Sequence, residues 1–324
     1  MHIRESIERF SEQLAYEPVI ENRERLVRRD RFLILGMGGS QWPANLLNAW
    51  DESLFLWQHR DYGLPALSDA ILRDYLVIAV SYSGNTEETV SGLESALDRG
   101  YPTIAIAIGG EIIEIAKNRG IPYIQLPDWT MQPRASTGLI LRALTAAIGS
   151  DRGSKELASL ASSLVPKNYE AAGKQLATQC EGSAPIIYAS RRNGALAMTW
   201  KIKLNETGKI PAFFNVFPEH NHNEHNGFDI SPKTEKLARM FQWIFLTDDQ
   251  DHQRIQRRFD VIEELYQRRG HSVIRSPLRG ETRLERILGS ALTADWFSLF
   301  TAEQYGLEPT EVPMVEEMKK LINT

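Results

Sequence analysis

The stretch YLVIAVSYSGNTEETVSGLESALDRG, residues 75–100, decides the class of fold. It begins with a short apolar run rich in β-branched residues, which is typical of a strand buried on both faces of a sheet. A turn rich in serine, glycine and threonine follows, and the rest has the periodicity of a helix. A buried strand followed at once by a helix is the repeating unit of a parallel sheet covered by helices, so the stretch predicts an α/β fold.

Apolar runs of the same kind recur along the chain. In the first half they predict further strands within residues 31–40, 53–59, 102–110 and 121–127. The pattern then repeats. Residues 184–201 resemble the first strand and its turn, residues 238–251 the third strand and residues 271–280 the fourth. We therefore predict two tandem doubly wound domains, 1–152 and 153–324, each a parallel sheet flanked by helices.

Composition and charge exclude several classes of function. The 324 residues contain 42% apolar residues, enough for the cores of about two domains, and a net charge of −5 argues against a nucleic-acid-binding surface. No apolar run approaches the ~18 residues of a membrane span, and MHIRESIERF lacks the apolar segment of a secretory signal. The single cysteine, Cys180, excludes an intramolecular disulfide framework and is expected to be buried. These features predict a cytoplasmic protein.

The sequence GMGGS directly follows the first predicted strand. A dinucleotide-binding fingerprint needs a third glycine where Gln41 stands, although Asp61 could serve as the ribose-binding acid. Two other interpretations remain open on these residues. The segment is either a plain strand-to-helix turn, or a loop in which Gly38 and Gly39 let a ligand approach the backbone while Ser40 offers a hydroxyl.

The sequence SYSGNT, residues 81–86, is here named the candidate phosphate loop. It precedes a helix whose expected N-cap is Asn85, with Glu88 three residues later. Free N–H groups at a helix start attract anions, and the hydroxyls of Ser81, Ser83 and Thr86 lie close by in sequence. No nucleotide P-loop motif is present. The alternative is an ordinary turn that caps a helix.

Three histidines, His220, His222 and His225, fall within FPEHNHNEHNG, residues 217–227. The surrounding segment, between Leu204 and Asp229, fits neither the helical nor the strand period. Irregular segments of this length are more often functional than idle. From the residues alone, a metal cage and a single proton-transferring histidine both remain open, although the zinc motif H-E-x-x-H is absent.

Taken in order, GMGGS, SYSGNTEET, PRAS, LNETGK and PEHNHNE resemble the bifunctional phosphoglucose/phosphomannose isomerases of the sugar isomerase (SIS) domain superfamily. The resemblance extends to the C-terminal VEEMKKLI and so spans nearly the whole chain. It implies two SIS domains in tandem and the interconversion of glucose 6-phosphate, fructose 6-phosphate and mannose 6-phosphate. It also implies proton transfer between C1 and C2 without a metal or another cofactor.

The same resemblance implies a role for each candidate residue. Glu206 is the base that moves the proton, His222 is the acid/base that opens the sugar ring, and Arg134 stabilises the enediolate. The resemblance also implies a lysine of the C-terminal helix near the ring oxygen and O1. Lys319 fits this position, because it flanks an apolar stripe on the helix whereas Lys320 points away. The implied substrate-binding residues are Gly38, Gly39, Ser40, Ser81, Ser83 and Thr86. His220 and His225 receive no role.

The resemblance further implies a homodimer in which the histidine segment completes the partner's site. Two alternatives to this enzyme stay open. A non-catalytic sugar-phosphate sensor would keep the candidate phosphate loop but would not need Glu206, His222 and Lys319. An isomerase of another phosphosugar would keep the loop and use a different base.

Overall fold

The computed structural model describes residues 1–322 and contains two parallel sheets flanked by helices. The α/β fold class predicted from the sequence is thereby confirmed. Within these residues the strands are β1 (Arg31–Leu35), β2 (Phe55–His59), β3 (Tyr75–Val80), β4 (Thr103–Ala107), β5 (Tyr123–Gln125), β6 (Ala184–Ser190), β7 (Phe213–Phe217), β8 (Phe241–Thr247) and β9 (Val273–Pro277).

Helices connect the strands. They are α1 (Ile3–Glu8), α2 (Phe10–Ala15), α3 (Gly38–Trp50), α4 (Asp69–Leu72), α5 (Glu87–Asp98), α6 (Gly110–Arg119), α7 (Thr137–Ile148), α8 (Asp151–Ser163), α9 (Glu170–Gln179), α10 (Gly194–Glu206), α11 (Glu235–Ala238), α12 (Gln253–Arg268), α13 (Arg283–Gln304) and α14 (Pro313–Ile322). In the part of the chain that the structure describes, no helix is long and apolar enough to span a membrane.

The chain divides into two compact units. The first contains Met1 and residues 8–165, and the second contains residues 2–7 and the described residues from Pro166 onward. The boundary expected from the sequence, after residue 152, lies in the first turn of α8.

The first unit is built on a five-stranded sheet in the order β2-β1-β3-β4-β5, with all neighbours parallel. All six residues of the central strand β3 are buried. This burial explains why YLVIAV is apolar at every position, since helices cover both faces of a doubly wound sheet.

The second unit repeats this order with four strands, β7-β6-β8-β9, again all parallel. One interpretation from the sequence was wrong. The segment between Leu204 and Asp229 contains the strand β7, which pairs with β6. The first two residues of β7, Phe213 and Phe214, are both exposed at the edge of the sheet. The strand therefore lacks the alternation of buried and exposed residues by which a strand is recognised in a sequence.

The core of the second unit contains many aromatic side chains. Trp200, Trp243 and Trp296 are all at most 1% exposed, and burial of each stabilises the fold by roughly 1.5–3 kcal/mol. Cys180 is also buried, as expected, and its burial raises the pKa of the thiol to about 12.

Candidate active site

The candidate phosphate loop is folded by its own hydroxyl groups. The Ser81 Oγ lies 2.8 Å from the Thr86 Oγ1 and accepts the Gly84 N–H at 3.1 Å. Ser83 is exposed, and its hydroxyl accepts the Asn85 N–H at 3.3 Å. The loop ends at the first turn of α5, where backbone N–H groups have no partner inside the helix. An oxyanion at this point would meet both hydroxyl and N–H donors.

The expectation that Asn85 caps this helix was wrong. Helix α5 begins at Glu87, and its N-cap is Thr86. The Asn85 Oδ1 instead accepts the Glu111 N–H at 2.9 Å, in the first turn of α6. Asn85 therefore ties the candidate phosphate loop to the neighbouring helix, which leaves the start of α5 without a side-chain acceptor from this residue.

Glycines allow the loops after β3 and β4 to touch. A Cβ on Gly84 would overlap the carbonyl oxygen of Gly109, and a Cβ on Gly110 would lie 2.5 Å from the Asn85 Oδ1. Gly84 and Gly110 also have φ angles of +81° and +71°, which side-chain-bearing residues rarely adopt. Gly109 and Gly110 were not among the site residues predicted from the sequence. The available signal was the glycine pair directly after a predicted strand.

The turn after β1 reaches the same edge of the sheet. A Cβ on Gly39 would lie 2.6 Å from the backbone nitrogen of Arg134, so the turn that carries Arg134 packs directly on this glycine. The Ser40 hydroxyl is buried and accepts the Tyr82 N–H at 2.8 Å, which joins this turn to the candidate phosphate loop. Gly38 is exposed, with φ +46° and open space where a side chain would stand. The exposed backbone of Gly38 can therefore be approached by a ligand.

Arg134 is a buried cation in the same unit. It lies in the 3-10 turn Pro133–Ala135, is 3% exposed, and places its Nη1 3.5 Å from the Gln132 Oε1. The Gln13 side chain holds this turn by donating to the Ala135 carbonyl at 2.8 Å. A guanidinium removed from water acts on a nearby negative charge more strongly than an exposed one does. The arrangement can stabilise an oxyanion.

In the second unit, Glu206 is the last residue of α10 and is half-buried. The helix ends with the Gly208 N–H donating to the Lys203 carbonyl at 3.2 Å, and Lys209 then adopts φ +58°. The Lys209 ammonium donates to the Glu206 carbonyl oxygen at 2.6 Å and to the Glu311 carbonyl. Lys209 was not among the site residues predicted from the sequence. Its ammonium joins the turn of Glu206 to the segment that precedes α14.

The three histidines differ in their surroundings. His220 is fully buried, with its Nε2 3.1 Å from the Tyr266 hydroxyl and its Nδ1 3.2 Å from the Asn221 amide. The His225 ring is half-buried, and its centroid lies 5.8 Å from that of His220. His222 is exposed. Of the three rings, that of His222 is the one available to a ligand from solvent.

These positions favour the single-histidine interpretation over the metal cage. Both ring nitrogens of His220 are already engaged, one by the Tyr266 hydroxyl and the other by the Asn221 amide. Burial, and secondarily the nearby His225, lowers the pKa of His220 to about 4, so this ring is neutral near pH 7. Within residues 1–322, no three His, Cys, Asp or Glu side chains converge to hold a metal ion. His220 therefore anchors the segment that carries His222.

The histidine loop, residues 218–228, is anchored a second time by Glu224. Its carboxylate accepts hydrogen bonds from the Tyr188 hydroxyl on β6 and the Asn215 amide on β7. Burial, with the neighbouring Tyr266 and Glu224, raises the pKa of Tyr188 well above its usual range. The Tyr188 phenol therefore stays protonated and donates a hydrogen bond to Glu224. This anchor was not predicted from the sequence.

Glu206 and the histidine loop lie on opposite faces of the second sheet. In the strand order β7-β6-β8-β9, the chain moves one way along the sheet from β6 to β7, through α10. It moves the opposite way from β7 to β8, through the histidine loop. Because both crossovers are right-handed, the two connections lie on opposite faces of the sheet. The contacts agree. Trp200 of α10 donates to Ser290 of α13 at 3.0 Å, whereas Phe228 of the histidine loop packs against Trp243 and Tyr266 in the core beneath α12.

Lys319 lies on the exposed helix α14. Its ammonium pairs with Glu316 at 2.8 Å, one turn earlier in the helix. The apolar stripe predicted for this helix is present, but Val315, Met318 and Ile322 are 41%, 50% and 63% exposed. In the described chain α14 has no buried residue, so its apolar side is not covered.

The second sheet carries a buried ionic cluster where the first carries the candidate phosphate loop. Asp248 follows β8, the counterpart of β3, and its carboxylate is fully buried. It accepts hydrogen bonds from Arg283 at 2.9 Å and from Arg286 at 3.0 Å. At this edge of the second sheet, the Asp248 carboxylate therefore pairs with the nearby arginines.

The chain is similar in sequence to known proteins. Residues 170–322 match the family described as "Bacterial phospho-glucose isomerase C-terminal SIS domain". The chain is 32% identical to the bifunctional phosphoglucose/phosphomannose isomerase of Aquifex aeolicus, over 97% of this chain and 96% of that protein. It is 35% identical to the protein of the same name from Caldicellulosiruptor bescii, over 90% and 88% of the two chains.

The fold also matches solved structures at low sequence identity. One is the C-terminal domain of glucosamine-fructose-6-phosphate aminotransferase from Francisella tularensis. The TM-score is 0.70 at 14% identity, with 95% of this chain and 96% of that chain covered. At this identity the likeness concerns the fold alone, and it extends over both units.

Proposed function

This chain belongs to the bifunctional phosphoglucose/phosphomannose isomerase family, and we propose that it interconverts glucose 6-phosphate, mannose 6-phosphate and fructose 6-phosphate. The observation that carries the proposal is the identity of 32% along 97% of the chain. A similarity of that extent covers both units. We further propose that the enzyme works in the cytoplasm and needs no metal or other cofactor.

In this proposal the sugar phosphate is held by the first unit. The hydroxyls of Ser81, Ser83 and Thr86 and the first N–H groups of α5 bind the phosphate group. The backbone of Gly38 and Gly39, together with Ser40, binds sugar hydroxyls. The contact that ties Ser40 to the candidate phosphate loop supports this assignment, because it fixes the two binding segments relative to each other.

The chemical steps are assigned to four residues, Glu206, His222, Lys319 and Arg134. His222 and Lys319 exchange protons with the ring oxygen and O1 to open the pyranose. Glu206 then removes the proton from C2 of the open-chain aldose, and Arg134 stabilises the negative charge that develops on O1. A proton passes from O2 to O1, and Glu206 returns its proton to C1 to give the ketose. No atom is gained or lost in this sequence.

The active enzyme in this proposal is a homodimer in which His222 acts in the partner's site. The second sheet separates α10, which carries Glu206, from the histidine loop of the same chain. A sheet with one layer of helices on each face is roughly 20 Å thick, since each layer lies about 10 Å from the sheet. A hexose phosphate is shorter than that distance, which supports the proposal that the Glu206 and His222 acting on one sugar come from different chains.

An assay with fructose 6-phosphate tests the proposed function. We expect glucose 6-phosphate and mannose 6-phosphate to appear, each measured by its own coupled dehydrogenase reaction, in buffer treated with chelator. Formation of neither product by correctly folded protein would contradict the proposal. Binding of fructose 6-phosphate without turnover would then indicate a sensor.

Removing hydroxyls from the candidate phosphate loop is expected to weaken substrate binding. Each charge-assisted hydrogen bond lost in the Ser81→Ala and Thr86→Ala variants should cost roughly 1.5–3 kcal/mol of binding free energy. Calorimetric titration with fructose 6-phosphate measures the loss of binding free energy. Ser95→Ala is the matched control, since Ser95 lies on α5, the helix that follows the candidate phosphate loop. An unchanged affinity in the double variant would place the phosphate group elsewhere.

A further inference from the structure

An arginine groove lies on the surface of the second unit, beside the histidine loop. It is a cavity of about 380 Å³ lined by Asn221, Arg254, Arg257, Arg258, Val261 and Ile262. The three arginines and Val261 lie at positions i, i+3, i+4 and i+7 of α12, so they share one face of the helix. The assignments made above use none of these residues.

The charges of this groove are not balanced by the protein. No acidic residue lines the cavity, and within residues 1–322 neither Arg254 nor Arg257 forms an ion pair. Like charges three or four residues apart repel each other on a helix surface. Elsewhere the same helix avoids this cost, since Arg268 pairs with Glu264. The uncompensated arginines are therefore a feature of the groove and not of the helix as a whole.

The chemistry of the groove fits a small oxyanion. Guanidinium groups bind phosphate with two parallel hydrogen bonds, and several arginines around one cavity favour a ligand with more than one negative charge. Arg254 lies in the first turn of α12, where the helix dipole adds to the attraction for anions. The volume is within the range of small-molecule sites.

The groove is connected to the loop that carries His222. The Arg258 Nη1 donates to the Asn221 Oδ1 at 3.0 Å, and the Asn221 amide in turn lies 3.2 Å from the His220 ring. A charged oxyanion is a stronger acceptor for Arg258 than the neutral amide oxygen of Asn221. A ligand in the groove would compete for this guanidinium and loosen one anchor of the histidine loop.

We propose that the arginine groove binds a small, multiply charged phosphate compound, and that its binding lowers turnover by loosening the histidine loop. The binding part of the proposal depends only on the cavity and the arginines that line it. The regulatory part rests on the function proposed above, in which His222 opens the sugar ring.

Calorimetric titration with inorganic pyrophosphate tests the binding part. The enzyme is first saturated with fructose 6-phosphate, which occupies the candidate phosphate loop. We expect the Arg254→Gln/Arg257→Gln double variant to bind pyrophosphate at least ~10-fold more weakly, because each lost charge-assisted hydrogen bond costs more than 1.4 kcal/mol. The matched control, Arg99→Gln/Arg119→Gln, removes two exposed arginines of the first unit and should bind as wild type does.

Stability and rate measurements complete the test. The groove variant should unfold at the same or a higher temperature than wild type, since it loses like-charge repulsion. Pyrophosphate should lower kcat of the wild type and the control without raising KM, and should not affect the groove variant. Equal affinity of groove variant and wild type would overturn the site, with or without isomerase activity. Binding that leaves kcat unchanged would overturn the coupling, and loss of the dimer in the groove variant would assign the groove to a protein contact.

Discussion

Replacing Glu206 by glutamine is expected to reduce kcat for isomerisation by roughly 10²–10⁴-fold, the usual contribution of a positioned general base. Glutamine keeps the shape of the side chain but cannot accept the proton from C2. Exchange of the C1 and C2 protons with deuterated solvent should stop in parallel, because exchange depends on the same proton transfer. Coupled assays and NMR measure the two effects.

The controls separate a lost base from a damaged fold. Glu206 ends α10 and its backbone carbonyl accepts from Lys209, a contact that the substitution preserves. The variant should therefore keep its unfolding temperature and its affinity for fructose 6-phosphate. Glu181→Gln, an exposed residue of the same unit, is the matched control for the change of charge. Normal turnover or continued exchange in the Glu206→Gln variant would refute the assignment.

The buried strands were predictable from the sequence, and the edge strand was not. Runs such as YLVIAV are covered on both faces, so each of their residues is apolar and the run stands out. The strand β7 lies at an edge, with Phe213 and Phe214 exposed, and it follows the irregular turn around Lys209. Its pairing with β6 comes from tertiary structure, which local periodicity does not report.

Errors at the candidate active site have a similar origin. A sequence places Asn85 next to the helix that it precedes, but a contact across the sheet edge turns its side chain toward Glu111. Gly109 and Gly110 matter because a neighbouring loop touches them, and Lys209 because its ammonium reaches the turn of Glu206. Each of these roles depends on proximity between segments distant in sequence.

The three histidines of the histidine loop could be recognised in the sequence, but the location of the loop could not be predicted. Three imidazoles within six residues indicate either a metal site or a proton-transfer site. In the structure the rings have different surroundings, because His220 is buried against Tyr266 while His222 is exposed. Which face of the sheet carries the loop depends on strand order, and strand order cannot be read from motif spacing.

A mixture of two inactive variants is expected to recover activity. In the proposed homodimer, Glu206→Gln lacks the base and His222→Ala lacks the ring-opening group, so each pure variant should be nearly inactive. In a mixed dimer, one site inherits both lesions and the other inherits neither. Random reassortment makes about half of the dimers mixed, so roughly a quarter of all sites should be intact.

Unfolding and refolding the two variants together, at equal concentrations, should therefore restore about a quarter of wild-type activity, while each variant refolded alone should stay near background. The result discriminates sharply because Glu206 and His222 belong to the same unit but lie on opposite faces of its sheet. If each chain used its own His222, no mixture would contain an intact site. Dimers that demonstrably exchange chains and still recover no activity would mean that His222 acts in its own chain. Full activity of His222→Ala refolded alone would mean that His222 has no part in catalysis.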